Sequence, residues 1–579
     1  AVQVRISGVI KMAGYSFLDF KDARCKDCYK CLRECPVKAI KVVDRHAKII
    51  DDRCILCGHC TKVCPQNAKS VHSERADVER LLRGGNVIAS VAPSFVSSFN
   101  LQDFSVMRAA LKSLGFADAE ETSVGAREVT AQYKKLLEGG TFKNFITSCC
   151  PAVNRMIELY YPQALPYLAP VDTPMVAHAK MIRARNKKAK VVFIGPCIAK
   201  KREGAEYGLD GVLTFEDLAA MFEEKGVDLS SFAPQDESAG GVNRAKYYPI
   251  SRGIIKSFEH YIDGYEFVAV DGAEKCKEVL ENIESLSGMF IEMNSCDSAC
   301  VNGPCSLTLK AGALRANADI RHYVNTDMQK NASAPYEPVK GIDFTCVHER
   351  KRTEDFEPTE RQIAEILAKT GKFTKEDMLN CGACGYDTCV EKAWAVANGY
   401  ASIEMCVPYM RERAESMSYE IIRTSPNGIV LLDNDLNILE INAKAMEIFG
   451  IGESNVKGRA LFEFFNPTDF VLAQADKKNI YNKKIFVEKT ARHIEMTIIV
   501  LKDNKGTYAV MKDVTQETEA EEQLDKVRSE TLATTDEVIK KQMRVAQEIA
   551  SLLGETTAET KVALLKLKKT LQSSDEEKK

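Results

Sequence analysis

The chain of 579 residues carries almost no net charge: 79 Lys and Arg stand against 82 Asp and Glu, leaving −3. So balanced a surface has no field with which to gather nucleic acid or an anionic membrane, and neither is expected as a partner. Long apolar runs are missing too. None approaches the roughly 18 residues that cross a bilayer. The opening AVQVRISGVIKMAGYSF lacks the apolar core of a secretory signal, so the expected location is cytoplasmic. Histidine is scarce, eight residues without a cluster, so imidazole is not the expected ligand of any metal.

Cysteine is what the chain has, twenty in all. In a chain without a secretory signal, cysteines in tight groups are ligands sooner than disulfides. Thiolate-only sites suit iron–sulfur clusters or zinc, and spacing has to decide. CKDCYKCLRECP from Cys25 and CILCGHCTKVCP from Cys54 are two copies of C-x2-C-x2-C-x3-C-P. In that run the fourth cysteine ligates the other cluster. Cys25, Cys28, Cys31 and Cys64 are therefore expected around one 4Fe–4S cluster, and Cys54, Cys57, Cys60 and Cys35 around a second. Paired zinc knuckles are the alternative; the prolines after Cys35 and Cys64 and the duplication favour iron–sulfur. A further group, CGACGYDTC with Cys381, Cys384 and Cys389, is completed by Cys406. It admits zinc but reads better as a third 4Fe–4S site, its glycines letting the backbone wrap closely.

Between these groups, NVIASVAPSF, FKNFITS, KVVFIGP and SGMFIEM are short apolar strand-like runs separated by helical stretches such as EVTAQYKKLLEGG. The alternation predicts parallel sheets with helices on their faces. Three of the runs end in cysteine, as TSCC, GPC and EMNSC. Loops at the carboxyl ends of parallel strands are where such sheets bind ligands, so these cysteines are expected to converge. TSCC sets Cys149 and Cys150 side by side before a proline. That is awkward for a disulfide, and two sulfurs with different tasks explain it better.

The C-terminal part changes character. SPNGIVLLDNDLNILEINAKAMEIFG predicts strand, Asp-Asn-Asp turn, strand and helix. HIEMTIIVLKD and GTYAVMKDVT predict two more strands joined by a DNKG turn. From 519 the chain is charged and helical. Val538, Gln542, Val545, Ile549 and Leu552 are spaced as a short coiled-coil seam, Gly554 ends that helix, TTAETKVALLKLKKTL starts another, and SSDEEKK frays.

TSCCP, GPCIAKKRE at 195–203 and EMNSCDSACVNG at 292–303 resemble, in chain order, the three active-site signatures of the FeFe-hydrogenases. With the cysteine repeat, the resemblance covers about residues 20–345. It implies an H-cluster: a cubane held by Cys150, Cys197, Cys296 and Cys300, with Cys300 bridging to a two-iron subsite that carries CO, CN and a bridging dithiolate. Dedicated hydrogenase maturation proteins install that subsite. The implied chemistry is reversible H2 = 2 H+ + 2 e−, with a ferredoxin-like electron partner. Lys200 matches the family's lysine that donates to a cyanide, and Cys149 its proton-relaying thiol. Glu128 and Thr173 match parts of the family's proton path.

Departures accompany the match. Gly195 and Asn294 stand where methionine is usual, Ser298-Ala299 replaces a glycine pair, and Gly125 replaces one of the path's two glutamates. An intact cofactor, a rerouted proton path and slow turnover are the expectation. The same departures are similar to the sensory branch of the family, and 417–516 resembles a PAS domain. No cysteine follows Cys406, which excludes a flavin adduct there, and His493 reads as a strand residue. No histidine follows His493, so this tail is not a phosphohistidine kinase. The expectation is a multidomain α/β and α+β chain: two-cluster 4Fe–4S ferredoxin domain at 1–78, hydrogenase H-cluster domain at 79–350, small 4Fe–4S domain at 351–412, PAS domain at 413–518 and helical tail at 519–579. Hydrogen sensing leads, with a signalling partner or a homodimer at the PAS domain and tail. A metabolic hydrogenase and a cluster-assembly relative without the two-iron subsite are the alternatives.

Overall fold

The computed structural model describes residues 17–21, 24–44, 46–235, 242–307, 312–330, 336–351, 355–452, 456–501, 506–553 and 557–573. Most of the DNKG turn, Gly554 and all but the first residue of SSDEEKK lie outside them. The chain forms two compact units, Ala1–Met410 and Arg411–Lys579.

In the first unit the cysteine repeat folds as a repeat. Leu18–Phe20 pairs antiparallel with Lys69–Val71, and Ile40–Val43 with His46–Ile49. Each run supplies one turn of helix, Lys30–Arg33 and His59–Lys62. Left-handed residues recur at matching places: Asp27 and Leu56 (φ 51 and 56°), Tyr29 and Gly58 (57 and 73°), Lys38 and Asn67 (49 and 47°). For residues other than glycine this costs about 1–2 kcal/mol each. What it provides is an inward-facing row of amides: Ala39 N–H donates to Cys35 Sγ (3.3 Å) and, one repeat on, Ala68 N–H to Cys64 Sγ (3.4 Å).

Next come two parallel sheets. One has the order Asp118–Glu121, Val87–Val91, Lys190–Gly195, Gly211–Thr214; the other Glu266–Asp271, Met289–Asn294, Asn144–Ile146. All four apolar runs of the sequence became strands. Asp118–Glu121, reading DAEE, gave no such signal, because its charges are satisfied by partners distant in sequence. Arg108 holds Asp118 at 2.6 Å, and Glu121 accepts from Tyr323 Oη (2.5 Å) beside Lys246 (3.2 Å).

The small cysteine segment shares a core with the repeat: Leu32, Ala39, Leu56, Ile198, Ala199, Tyr386, Ala395 and Met405 are buried together. At Gly385 (φ 90°) an added Cβ would lie 3.1 Å from Leu32 backbone and side chain, so only glycine lets the CGACG loop sit so close. Arg53 ties three segments together. Its guanidinium grips Asp355 at 2.8 and 2.9 Å and lies 4.4 Å from the Tyr400 ring centre and 5.3 Å from that of Tyr160.

The second unit is one antiparallel sheet of order Ile438–Ile441, Gly428–Leu432, Thr507–Asp513, Arg492–Val500, Ile480–Val487. Helices Ala443–Phe449 and Thr468–Asp476 cover it, burying Phe449 and Phe470 against Met496, Ile498 and Met511. The Asp-Asn-Asp turn forms as expected, Asp433 Oδ1 accepting from the amides of Asp435 and Asn437. His493 packs its ring on Phe486 (4.8 Å). The tail is two helices, Thr515–Leu553 and Thr557–Ser573, and Val538, Val545 and Ile549 are exposed.

Candidate active site

The adjacent cysteines follow strand Asn144–Ile146, and Pro151 opens helix Pro151–Tyr160 with Cys150 as its extended N-cap (φ −98°, ψ 104°). Extended neighbours point to opposite sides, so the two sulfurs enter different surroundings. Cys150 is among the nearest charged neighbours of Cys197, Cys296 and Cys300. Cys197 comes from the end of the four-stranded sheet, and Cys296 and Cys300 from the end of the three-stranded one. The strand ends thus carry four thiols that act on one another electrostatically. Ser298 and Ala299, both left-handed (φ 63 and 61°), turn the backbone between the last two; the strain explains why glycine would suit that pair.

Burial pushes the Cys197 thiol up to about 11, with Cys150 adding to it and Lys200 opposing. Cys296 and Cys300 are pushed well above the ordinary thiol range, again by burial first and neighbouring cysteines second. Burial disfavours the charged form of each of these thiols, so they would become thiolate ligands only with a positively charged group held among them. The donor set fits a cluster.

Cys149 turns the other way. Tyr133 Oη lies 3.2 Å from its Sγ, and Tyr133 also meets Ser148 Oγ at 2.9 Å. Burial pushes the Cys149 thiol up to about 12, with Tyr133 and Lys200 opposing and Glu292 adding. Glu292, in strand Met289–Asn294, is fully buried and accepts from the amides of Gly253 (3.1 Å) and Ile255 (3.0 Å). Burial nevertheless pushes its carboxyl up to about 8. Tyr133 and Glu292 were not singled out in the sequence. The only signal was an acidic residue inside the apolar run SGMFIEM.

Lys200 Nζ donates to Glu203 Oε2 (2.8 Å) and Thr173 Oγ1 (3.1 Å), and Thr173 Oγ1 donates to the same Glu203 oxygen (3.0 Å). Despite burial, the ammonium is held above its ordinary range by Glu203 and Cys197. Thr173 is therefore brought to Lys200. Glu128 stands apart: it is buried, and accepts from Gln132 (2.7 Å), Tyr336 Oη (2.8 Å) and the Val339 amide (3.0 Å).

Repeat thiols have neighbours from both runs, and Cys35 also neighbours Cys31. Cys35 neighbours Cys54, Cys57 and Cys60, whereas Cys64 and Cys25 neighbour Cys31; Cys28 is exposed. Cys57 in turn neighbours Cys150, and Cys57 and Cys296 line one cavity. Cys381, Cys384, Cys389 and Cys406 line another. Tyr386 feels both Cys384 and Cys35.

Sixteen cysteines in four such groups, one of them buried beside Lys200, define an iron–sulfur protein. Comparison with known proteins agrees. Residues 24–68 match a 4Fe-4S dicluster domain, and 85–304 match the C-terminal domain of the iron only hydrogenase large subunit. Residues 377–408 match an Fe-S cluster family and 417–522 the PAS fold. The periplasmic Fe hydrogenase large subunit of Nitratidesulfovibrio vulgaris is 30% identical over 322 residues, covering 46% of this chain and 75% of that protein. Iron hydrogenase 1 of Clostridium pasteurianum is 25% identical over 302 residues, covering 40% and 52%. A solved FeFe-hydrogenase of Chlamydomonas reinhardtii has 16% identity and a TM-score of 0.35, covering 45% of this chain and 90% of that one. The chain belongs to the iron-only hydrogenase family, extended by an iron–sulfur segment and a PAS domain.

Proposed function

We propose that the protein is a hydrogen-sensing hydrogenase of slow turnover, its redox state read through the PAS unit. Cys150, Cys197, Cys296 and Cys300 would hold the cubane, and Cys300 the shared sulfur to a two-iron subsite bearing CO, CN and dithiolate. When bound, that H-cluster supplies the reversible cleavage H2 = 2 H+ + 2 e−. Three further 4Fe–4S clusters would fill the other thiol groups. The chain's own residues do the rest. Lys200, fixed by Glu203 and Thr173, presents a buried ammonium to an anionic ligand. Cys149 Sγ exchanges a proton between the site and the Tyr133 hydroxyl, 3.2 Å away, which in turn meets Ser148 Oγ at 2.9 Å.

The slow-turnover reading is supported by the surroundings of the relay. Glycine, Gly125, stands where the family's path has a glutamate, with no room for a side chain, and Cys149 meets the Tyr133 hydroxyl at 3.2 Å. The sensing reading is carried by one observation. Helix Val407–Thr424 starts directly after Cys406 and leads into the PAS unit, so a cluster ligand and the PAS segment share one helix. A change of cluster charge at that helix end is a local electrostatic event able to bias the helix and the PAS segment beyond it. Docking of a signalling partner, or of a second copy, at the tail would read it out. Electrons would leave to a ferredoxin-like partner.

The test begins with the chain matured by the hydrogenase maturation proteins. About 18 irons per chain and carbonyl and cyanide infrared bands are expected; iron without those bands would leave an electron-transfer protein. Hydrogen exchange across 411–573 is then compared under hydrogen and after oxidation. Identical protection in both states returns the protein to metabolic hydrogen turnover.

A further inference from the structure

Two lysines are buried against the cavity of Cys381, Cys384, Cys389 and Cys406. Lys372 is 8% exposed and Lys392 6%. Lys372 Nζ lies 3.5 Å from Cys406 Sγ and otherwise meets only Thr370, at its carbonyl (3.0 Å) and hydroxyl (3.2 Å). Lys392, one helical turn beyond Cys389, donates to the Ile403 carbonyl (2.9 Å). Its charged neighbours are Cys406, Cys384, Lys372 and Cys389. Of the other buried lysines in the unit, Lys200 pairs with Glu203 (2.8 Å) and Lys201 with Glu74 (3.3 Å), whereas Lys69 in the cysteine repeat faces thiols as Lys372 and Lys392 do. Neither Lys372 nor Lys392 makes such a pair among the described residues. Two adjacent buried ammonium groups without a paired carboxylate are costly. The anions near them are the sulfurs and, for Lys372, the carboxylate of Asp377.

We propose that Lys372 and Lys392 make this site the chain's electron store, holding two positive charges against its thiolates so that the reduced state is favoured. A cubane on four thiolates is anionic, and gains one further negative charge for each electron accepted. Nearby net charge and hydrogen bonds to the sulfurs set its potential. The cationic pair therefore stabilises the reduced form more than the oxidised one, because Coulomb attraction grows with the charge it faces. In the cysteine repeat the cations are spread over two sets: Lys69 is shared by Cys31, Cys60 and Cys64, Lys38 acts on Cys35 and Arg202 on Cys54. The stored charge also lies at the start of the helix into the PAS unit, where the Met410 amide donates to the Cys406 carbonyl (2.9 Å). This inference deepens the proposed function: in the working chain the electron is one of the pair released as H2 becomes two protons.

The experiment does not need hydrogen. The full chain, reconstituted with iron and sulfide but without the two-iron subsite, is reduced stepwise by dithionite with mediators and followed by electron paramagnetic resonance. The site's signal is assigned by its loss in the Cys384→Ala, Cys389→Ala double variant. Lys372→Met and Lys392→Met are each expected to move that signal's midpoint to lower potential, the double variant further. Lys372→Arg, Lys392→Arg and the exposed Lys369→Met should stay near the parent, and the repeat's signals should not move. An unmoved midpoint in both methionine variants at unchanged iron content overturns the proposal, as does an equal shift of every signal. Should the methionine variants lose iron from the site, the Lys→Gln pair is read by the same criteria. Failure of the hydrogenase reading shows separately, as a parent matured with the two-iron subsite that dithionite reduces and hydrogen does not.

Discussion

Gly125 offers a sharp test, because two effects of known size oppose each other there. It lies in helix Ser123–Glu138, where Gly→Ala ordinarily gains about 1 kcal/mol from helix propensity. Against that, a Cβ at 125 would lie 2.5 Å from the Pro174 carbonyl oxygen and 2.7 Å from both Cβ and N of His178 in helix Pro174–Arg185. Two of these atoms are backbone and cannot swing aside as a side-chain tip can. Overpacking of this kind costs about 1–3 kcal/mol, and rigid neighbours put it at the upper end. Gly125→Ala should therefore be destabilised by about 2 kcal/mol net, which speeds opening-limited amide exchange in both helices roughly 30-fold. Gly125→Glu should be worse, and should not raise turnover, since the carboxylate has no room to reach the site. An Ala variant whose two helices exchange as slowly as the parent's would refute the close packing. With it would fall the explanation that glycine stands here because no side chain fits.

Glu292→Gln probes the buried carboxyl by pH. The folded pKa of about 8 lies above the ordinary 4.5, so the native carboxyl keeps a proton that the unfolded chain has lost. Its contribution is fully present below pH 4.5 and is lost as pH rises through 8, on the order of 3–5 kcal/mol; urea midpoints of the variant should lack that slope, and an unchanged slope would place the titration elsewhere. Cys150→Ala should lose the H-cluster bands, whereas Cys149→Ala should keep them and slow hydrogen–deuterium isotope exchange by about 10²–10⁴-fold. Equal rates in Cys149→Ala and parent would make the thiol a packing residue.

The site was legible where chemistry demands a spacing. A cluster needs thiols at set intervals, so the repeat, the CGACG group and the three strand-end cysteines could be read in one dimension. Parallel strands were legible where they are apolar on both faces. What escaped was set by contacts across the fold. Asp118–Glu121 looks like a loop until Arg108 and Tyr323 are placed beside it. Thr173 and Glu128 match one proton path, yet Thr173 bonds to Lys200 and Glu203, and Glu128 bonds to Tyr336 and Val339. Tyr133 lies in an ordinary amphipathic stretch, and nothing in its neighbours along the chain announces the thiol it meets.

The departures around the site share one physical direction. Gly125 closes the position where a carboxylate would shuttle protons, and the thiol proposed as relay is buried beside the Tyr133 hydroxyl. A catalyst running a flux is hurt by a broken proton path, since every turnover must cross it. A sensor is not, because its signal is the equilibrium occupancy of a reduced state, and occupancy depends on free-energy differences between states, independent of barriers. Slow proton movement only lengthens the response time. Two buried lysines at the last cluster act on that free-energy difference directly. By linkage, a partner that prefers the reduced form must itself raise the potential at which that form appears. Proton path and cationic pair thus act on separate quantities, one on rate and one on equilibrium. Substitutions at Cys149 should therefore leave the midpoint of the Cys406 site unchanged, while substitutions at Lys372 should leave isotope exchange at the H-cluster unchanged.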